Sequence, residues 1–122
     1  MKDIETFDDI KRLVDTFYQR IQKDQLIGPI FNTVIQDRWP EHLEKMYRFW
    51  QSILLNEPRY SGKPFPPHQK LEINQKHFDH WVDLFEKTVL QLFEGENANE
   101  AIKRAKLMGA LFGAKHKHLR DK

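Results

Sequence analysis

Six prolines decide where this chain of 122 residues can be helical. The proline ring removes a backbone donor and disfavours a helical residue before it, so proline is tolerated at a helix start and excluded from its interior. Pro29, directly behind Gly28, ends a first helical segment, and Pro40 sits where a first-turn proline belongs. The other four lie in EPRYSGKPFPP, residues 57–67, which can be neither helix nor central strand. An irregular segment of this length inside one domain is either functional or disordered. It delivers His68 immediately after Pro67.

Between these marks the apolar spacing is helical. Over residues 6–23, Ile10, Leu13, Val14, Phe17 and Ile21 recur at helical intervals, and Thr6 with Asp9 forms a capping-box pattern. Residues 30–34 read as a short apolar piece of a single turn. From Pro40 to about residue 56, Leu43, Met46, Tyr47, Trp50, Ile53 and Leu54 make a stripe whose edge His42 continues. A further helix is predicted over 74–93, with Phe78, Trp81, Val82, Phe85, Val89, Leu92 and Phe93 on one face and Gly95 placed to end it. The last helix is predicted to begin at Asn97 or Asn99 and to bury Ile102, Ala105, Met108 and Phe112. It ends in a basic run at 115–118, which complements a helix carboxyl end. No alternating strand pattern or repeat is legible. The expectation is an all-α fold in one domain over residues 1–122.

Composition removes several function classes. Twenty Lys and Arg against 18 Asp and Glu leave a formal charge of +2, which provides no strong field for a nucleic-acid backbone. The absence of cysteine excludes disulfides, thiolate zinc sites, iron–sulfur clusters and covalent haem attachment. No apolar run approaches a membrane span, and the acidic start MKDIETFDDI is unlike a signal peptide. A soluble cytoplasmic protein with no nucleic-acid or membrane partner is expected. Only 39% of the residues are hydrophobic, yet nine Phe, three Trp and three Tyr are present. Aromatics bury a large area each, so they can build a core from a modest apolar count or line a cavity for a flat ligand.

The six histidines divide by position. His77 and His80 share a helix face but lack the Glu-x-x-His carboxylate pattern, so they read as surface or rim residues. His116 and His118 are two apart and do not face each other on a helix. No Ser-His-Asp order or phosphate-binding glycine loop is present, and the five glycines are scattered. His68, taken alone, reads as a turn histidine with a local hydrogen bond. His42 reads as a boundary residue, Trp81 as core, and Tyr18 as a residue at the apolar boundary whose hydroxyl faces a cavity or water. Their combination in a four-helix sequence rich in Phe makes a cofactor pocket a serious alternative.

The residues also carry a family resemblance. Phe17–Tyr18 and the run IGPIFN at 27–32 resemble the second helix and following turn of truncated haemoglobins. Trp39-x-x-His42, with Phe49–Trp50 beyond it, resembles their distal helix. The stretch GKPFPPHQKLEINQKHFDHWVDLF, residues 62–85, resembles the segment of group III truncated haemoglobins that holds the proximal histidine and the next helix. The lack of a Gly-Gly pair also fits group III, whereas Glu72 stands where the family pattern often has proline.

That resemblance implies a shortened globin, with helices packed two over two around one haem b and the first globin helix nearly absent. It implies His68 as the proximal iron ligand, Tyr18 and Trp81 as distal hydrogen-bond donors, and His42 in the distal-histidine position. Phe17, Phe31, Met46, Phe49 and Phe78 would line the porphyrin, and Lys45 is a candidate partner for a propionate. A ferrous haem needs one neutral imidazole and one open position, which this set provides. A Tyr hydroxyl and an indole N–H stabilise negative charge on bound dioxygen without bringing charge of their own. The implied ligands are dioxygen, carbon monoxide and nitric oxide, with slow dioxygen release. Nitric oxide or peroxide chemistry would need a separate reductase, and the expected state is a monomer or weak dimer. The rival readings are a haem-free helical interaction module and a gas or redox sensor acting through another protein.

Overall fold

The computed structural model describes residues 1–55 and 75–120, with side chains as far as Ala110. Helix α1 (Phe7–Lys23) begins at the predicted capping box: Thr6 is extended, its hydroxyl accepts from the Asp9 amide, and the Asp9 carboxylate accepts from the Thr6 amide. Its buried face is Ile10, Leu13, Val14, Phe17, Tyr18 and Ile21. The helix ends at Asp24, whose Oδ1 accepts the Leu26 and Ile27 amides at 2.9 and 3.0 Å and so folds the turn onto its own side chain. Gly28 follows because nothing larger fits: a Cβ there would stand 2.8 Å from the Ile21 carbonyl oxygen and 2.9 Å from that of Gln22.

The segment after Pro29 departs from expectation. Instead of a single turn it forms α2 (Gly28–Ile35), eight residues with Pro29 in the first turn. Phe31 and Ile35, four apart, both reach the core, and that burial sustains a second turn. A 3-10 turn (Gln36–Arg38) then leads into α3 (Trp39–Leu54), where Pro40 again occupies the first turn. Met46, Trp50, Gln51 and Leu54 are its buried positions, while Leu43, Tyr47 and Ile53 pack half-buried against the core.

Helix α4 (Gln75–Leu92) buries Phe78, Trp81, Phe85, Thr88 and Val89. Gly95, at φ +139°, makes the turn into α5 (Glu96–Arg120), which starts ahead of the expected asparagines and buries Ala98, Ala101 and Ala105. Ile102 and Met108 are half-buried, and the Phe112 side chain lies outside the described residues. The two helices run antiparallel, since Glu86 pairs with Lys106 and Val82 meets Gly109. The small faces of the alanines and Gly109 let the helix axes approach.

Helix α1 packs on α2, α3 and α4, and α5 backs α4 and touches α3. One core cluster runs through all five. The N-terminal segment closes it beside the start of α5. Ile4 is fully buried, and the Asp3 carboxylate accepts the Asn97 and Ala98 amides at 2.9 and 2.8 Å, capping α5 from a distant part of the chain. The Glu94 amide donates to the Lys2 carbonyl, and the Asn97 side chain donates to the Ile4 carbonyl. Among the described residues no helix is long and apolar enough to cross a membrane, and none is a strand.

Candidate functional site

An aromatic assembly occupies the space enclosed by α1, α3 and α4. From α1, Phe17 and Tyr18 are 1% and 3% exposed. Tyr18 is therefore not at the boundary where its sequence position put it, because the start of α3 closes over it. Phe17 meets Trp81 edge-on at 5.7 Å and Phe85 at 5.0 Å, and Trp81 and Phe85 stack at 6.1 Å. Trp50 of α3 also stacks on Phe85 at 5.0 Å. On the opposite flank Tyr18 meets the His42 ring edge-on at 5.0 Å and Trp39 at 5.8 Å.

This arrangement buries two polar atoms that have no hydrogen-bond partner among the described residues, His42 Nε2 and Trp81 Nε1. A buried donor left unmatched costs about 1–3 kcal/mol, so native proteins rarely keep one without a use. Burial, reinforced by the charge of Lys45 one turn along α3, holds the His42 imidazole down to about 4, so it is neutral at ordinary pH. Burial alone pushes the Tyr18 phenol well above its ordinary value, which keeps it a protonated hydroxyl. The assembly therefore offers neutral polar groups on an apolar ground, suited to a small ligand with partial negative charge.

Polar contacts at the periphery fix the walls. Arg20 of α1 donates to the fully buried Thr88 hydroxyl of α4 at 3.0 Å, and that hydroxyl donates to the Leu84 carbonyl. His80 Nε2 lies 2.7 Å from Asp24 Oδ2, tying α4 to the turn after α1 at the position next to Trp81. The Tyr47 hydroxyl donates to Asp15, joining α3 to α1. These ties hold Phe17, Tyr18 and Trp81 in one frame.

Of the residues singled out from sequence, Phe17, Tyr18, Phe31, Met46, Phe78 and Trp81 share the buried cluster, and Phe49 packs half-buried against it. Lys45 is exposed, three positions from His42. His68 lies outside the described residues, as does the proline-rich approach to it. His77 and His80 are half-buried, and Asp79 is exposed beside Gln75. No group of three or more metal-ligating side chains occurs among the described residues. Sequence reasoning gave Trp39 no role of its own, although it stands one turn before His42 and so on the same helix face.

Comparison with known proteins places this geometry in context. A family model described as bacterial-like globin matches residues 3–112. The group 3 truncated hemoglobin ctb of Campylobacter jejuni subsp. jejuni is 35% identical over 107 residues, spanning 84% of each chain. The crystal structure of a group III truncated hemoglobin from Campylobacter jejuni superposes with a TM-score of 0.83 and 32% identity, covering 94% of both chains.

Proposed function

Because the chain belongs to the bacterial-like globin family, among its group III truncated haemoglobins, we propose that it holds one haem b and binds dioxygen and other diatomic ligands reversibly. Gas binding through haem is the family's general property. The particular residues assigned here are our reading. The observation that carries it is the pair of buried nitrogens without partners among the described residues, His42 Nε2 and Trp81 Nε1, set beside the buried Tyr18 in an aromatic enclosure. Such atoms fit a pocket whose ligand completes their hydrogen bonding.

The haem, when bound, supplies an iron with one open position for a diatomic ligand. His68 is proposed as its proximal ligand, on the strength of the resemblance over residues 62–85. Phe17, Phe31, Met46, Phe49 and Phe78 are proposed to line the macrocycle, and Lys45 to pair with a propionate at the surface. The Tyr18 hydroxyl and the Trp81 indole N–H then donate to the ligand, and neutral His42 stands beside them. None of the three brings a net charge, so the pocket favours a polarised neutral ligand over an anion. Slow dioxygen release follows, and it favours nitric oxide or peroxide chemistry with a separate reductase over bulk oxygen transport.

Absorption spectra of protein made with haem available test the reading, taken ferric, dithionite-reduced and with carbon monoxide, beside His68→Ala. The expected result is stoichiometric haem and a five-coordinate ferrous form that binds carbon monoxide and is lost or perturbed in the variant. Protein that folds but takes up no stoichiometric haem would overturn it and favour a haem-free interaction module.

A further inference from the structure

The imidazole of His42 is enclosed by two rings. Tyr18 meets it edge-on at 5.0 Å and 89°, and Trp39 meets it at 5.7 Å and 85°. Its Nε2 has no partner among the described residues, so no bond at that atom sets the ring's orientation. The neighbouring rings do so. Tyr18 is held deep in α1, whereas Trp39 is held from α2: its Nε1 donates to Asn32 Oδ1 at 3.2 Å, and the Asn32 amide donates onward to the Gln22 carbonyl at 3.2 Å.

The backbone between α2 and α3 supports the same placement. Gln36 has φ +54°, a conformation a side-chain-bearing residue rarely adopts, and it turns the chain so that α3 begins against α2. Arg38 then clasps α2 from the far side of that turn, donating to the Val34 carbonyl at 2.6 Å. Trp39 is the first residue after this junction. It is also half-buried, with its ring against that of His42.

We infer that Trp39 is a positioning residue for His42, holding the imidazole over the ligand pocket through α2 and Asn32 and thereby setting how readily a ligand reaches the pocket. This rests on the haem reading above for its effect on ligands, while the ring-to-ring coupling stands independently of it. Replacing Trp39 with leucine removes both the edge contact and the bond to Asn32. Replacing it with phenylalanine removes only the bond, whereas Asn32→Ala removes that bond together with the one from Asn32 to the Gln22 carbonyl.

The test uses haem-loaded protein carrying Trp39→Leu, Trp39→Phe or Asn32→Ala, with Trp39→Leu also placed in a His42→Leu background. Carbon monoxide association after flash photolysis is expected to change by about fivefold or more in Trp39→Leu, and by less than about twofold when His42 is already gone, since residues acting through one another are not additive. Trp39→Phe and Asn32→Ala should each give a smaller change in the same direction, because both remove the Trp39–Asn32 bond and keep an aromatic ring beside His42. The His42 ring titration, followed by NMR, should move up from about 4 in Trp39→Leu as water reaches the ring. That titration needs no haem, so it still judges Trp39 if haem uptake fails and the functional reading falls. An equal kinetic effect in both backgrounds, with the His42 titration unmoved, would overturn the proposal and leave Trp39 as packing between α2 and α3.

Discussion

At the scale of single residues, the aromatic assembly holds polar groups that burial keeps neutral. His42 titrates at about 4 in the folded protein, through burial first and the nearby charge of Lys45 second, against 6.5 ordinarily. Between those values the unfolded chain binds a proton that the folded chain does not, so the slope of stability with pH is positive there. The stability is fully present above pH 6.5 and is lost as pH falls toward 4, to the extent of roughly 3 kcal/mol. Urea unfolding across that range should show the loss, and His42→Phe should flatten it. Tyr18 belongs to the same scale. Its protonated hydroxyl is expected to donate to bound dioxygen, so Tyr18→Phe should speed dioxygen release by about tenfold, on the order of one charge-assisted hydrogen bond. Stopped-flow dissociation kinetics measure it directly.

At the scale of elements, close approach decides more than apolar area. A Cβ at Gly109 would fall 2.5 Å from Val82 Cγ2, and valine in a helix has one strongly preferred rotamer and little room to yield. Alanine is the better helix former by about 1 kcal/mol, yet Gly109→Ala is expected to destabilise by about 1–3 kcal/mol through overpacking. Adding Val82→Ala should recover most of that loss, as read from chemical denaturation midpoints. Helices α1 and α4 were legible in the sequence because each shows its buried face within its own spacing: Ile10 to Ile21 in α1, Phe78 to Val89 in α4. Helix α2 was not, since eight residues that are nearly all apolar contain too few turns to display a period. The burial of Tyr18 was not legible either, because it requires Trp39 and His42 from another helix to close over it. Of the alanine face of α5 only Ala105 was legible, and Ala98 and Ala101 were not, because small residues give a weak periodic signal and acquire meaning only against α4.

At the scale of the whole molecule, the site is a property of three helices held together by a few long-range ties. Arg20 to Thr88, His80 to Asp24 and Asp3 to the start of α5 each join segments more than fifty residues apart. The sequence offered no signal for any of them, because a carboxylate that caps a remote helix looks like any exposed acid. The Asp3 carboxyl, though desolvation raises it, is drawn below its ordinary value by the Asn97, Ala98 and Ile4 amides. Asp24, likewise raised by desolvation, is drawn down by His80 and the Ile27 and Leu26 amides. A lowered carboxyl contributes stability above its unfolded value and loses it as pH falls through the folded one. Acid unfolding should therefore begin below about pH 4. Asp3→Ala is expected to cost about 0.5–2 kcal/mol at neutral pH, and the difference from the parent protein should shrink in acid. Thermal unfolding at pH 7 and pH 3 compares the two.

The Asp3 cap has a consequence for the order in which the molecule is assembled. Its partners lie 94 and 95 residues further along the chain. At a synthesis rate of about 5–20 residues per second, Asp3 leaves the ribosome several seconds before either amide exists. Closing so long a loop carries an entropic cost that is repaid only once α1, α4 and α5 have already met. The segment that is made first is thus the last to be fastened, and until it is, the first turn of α5 keeps its amides open to water.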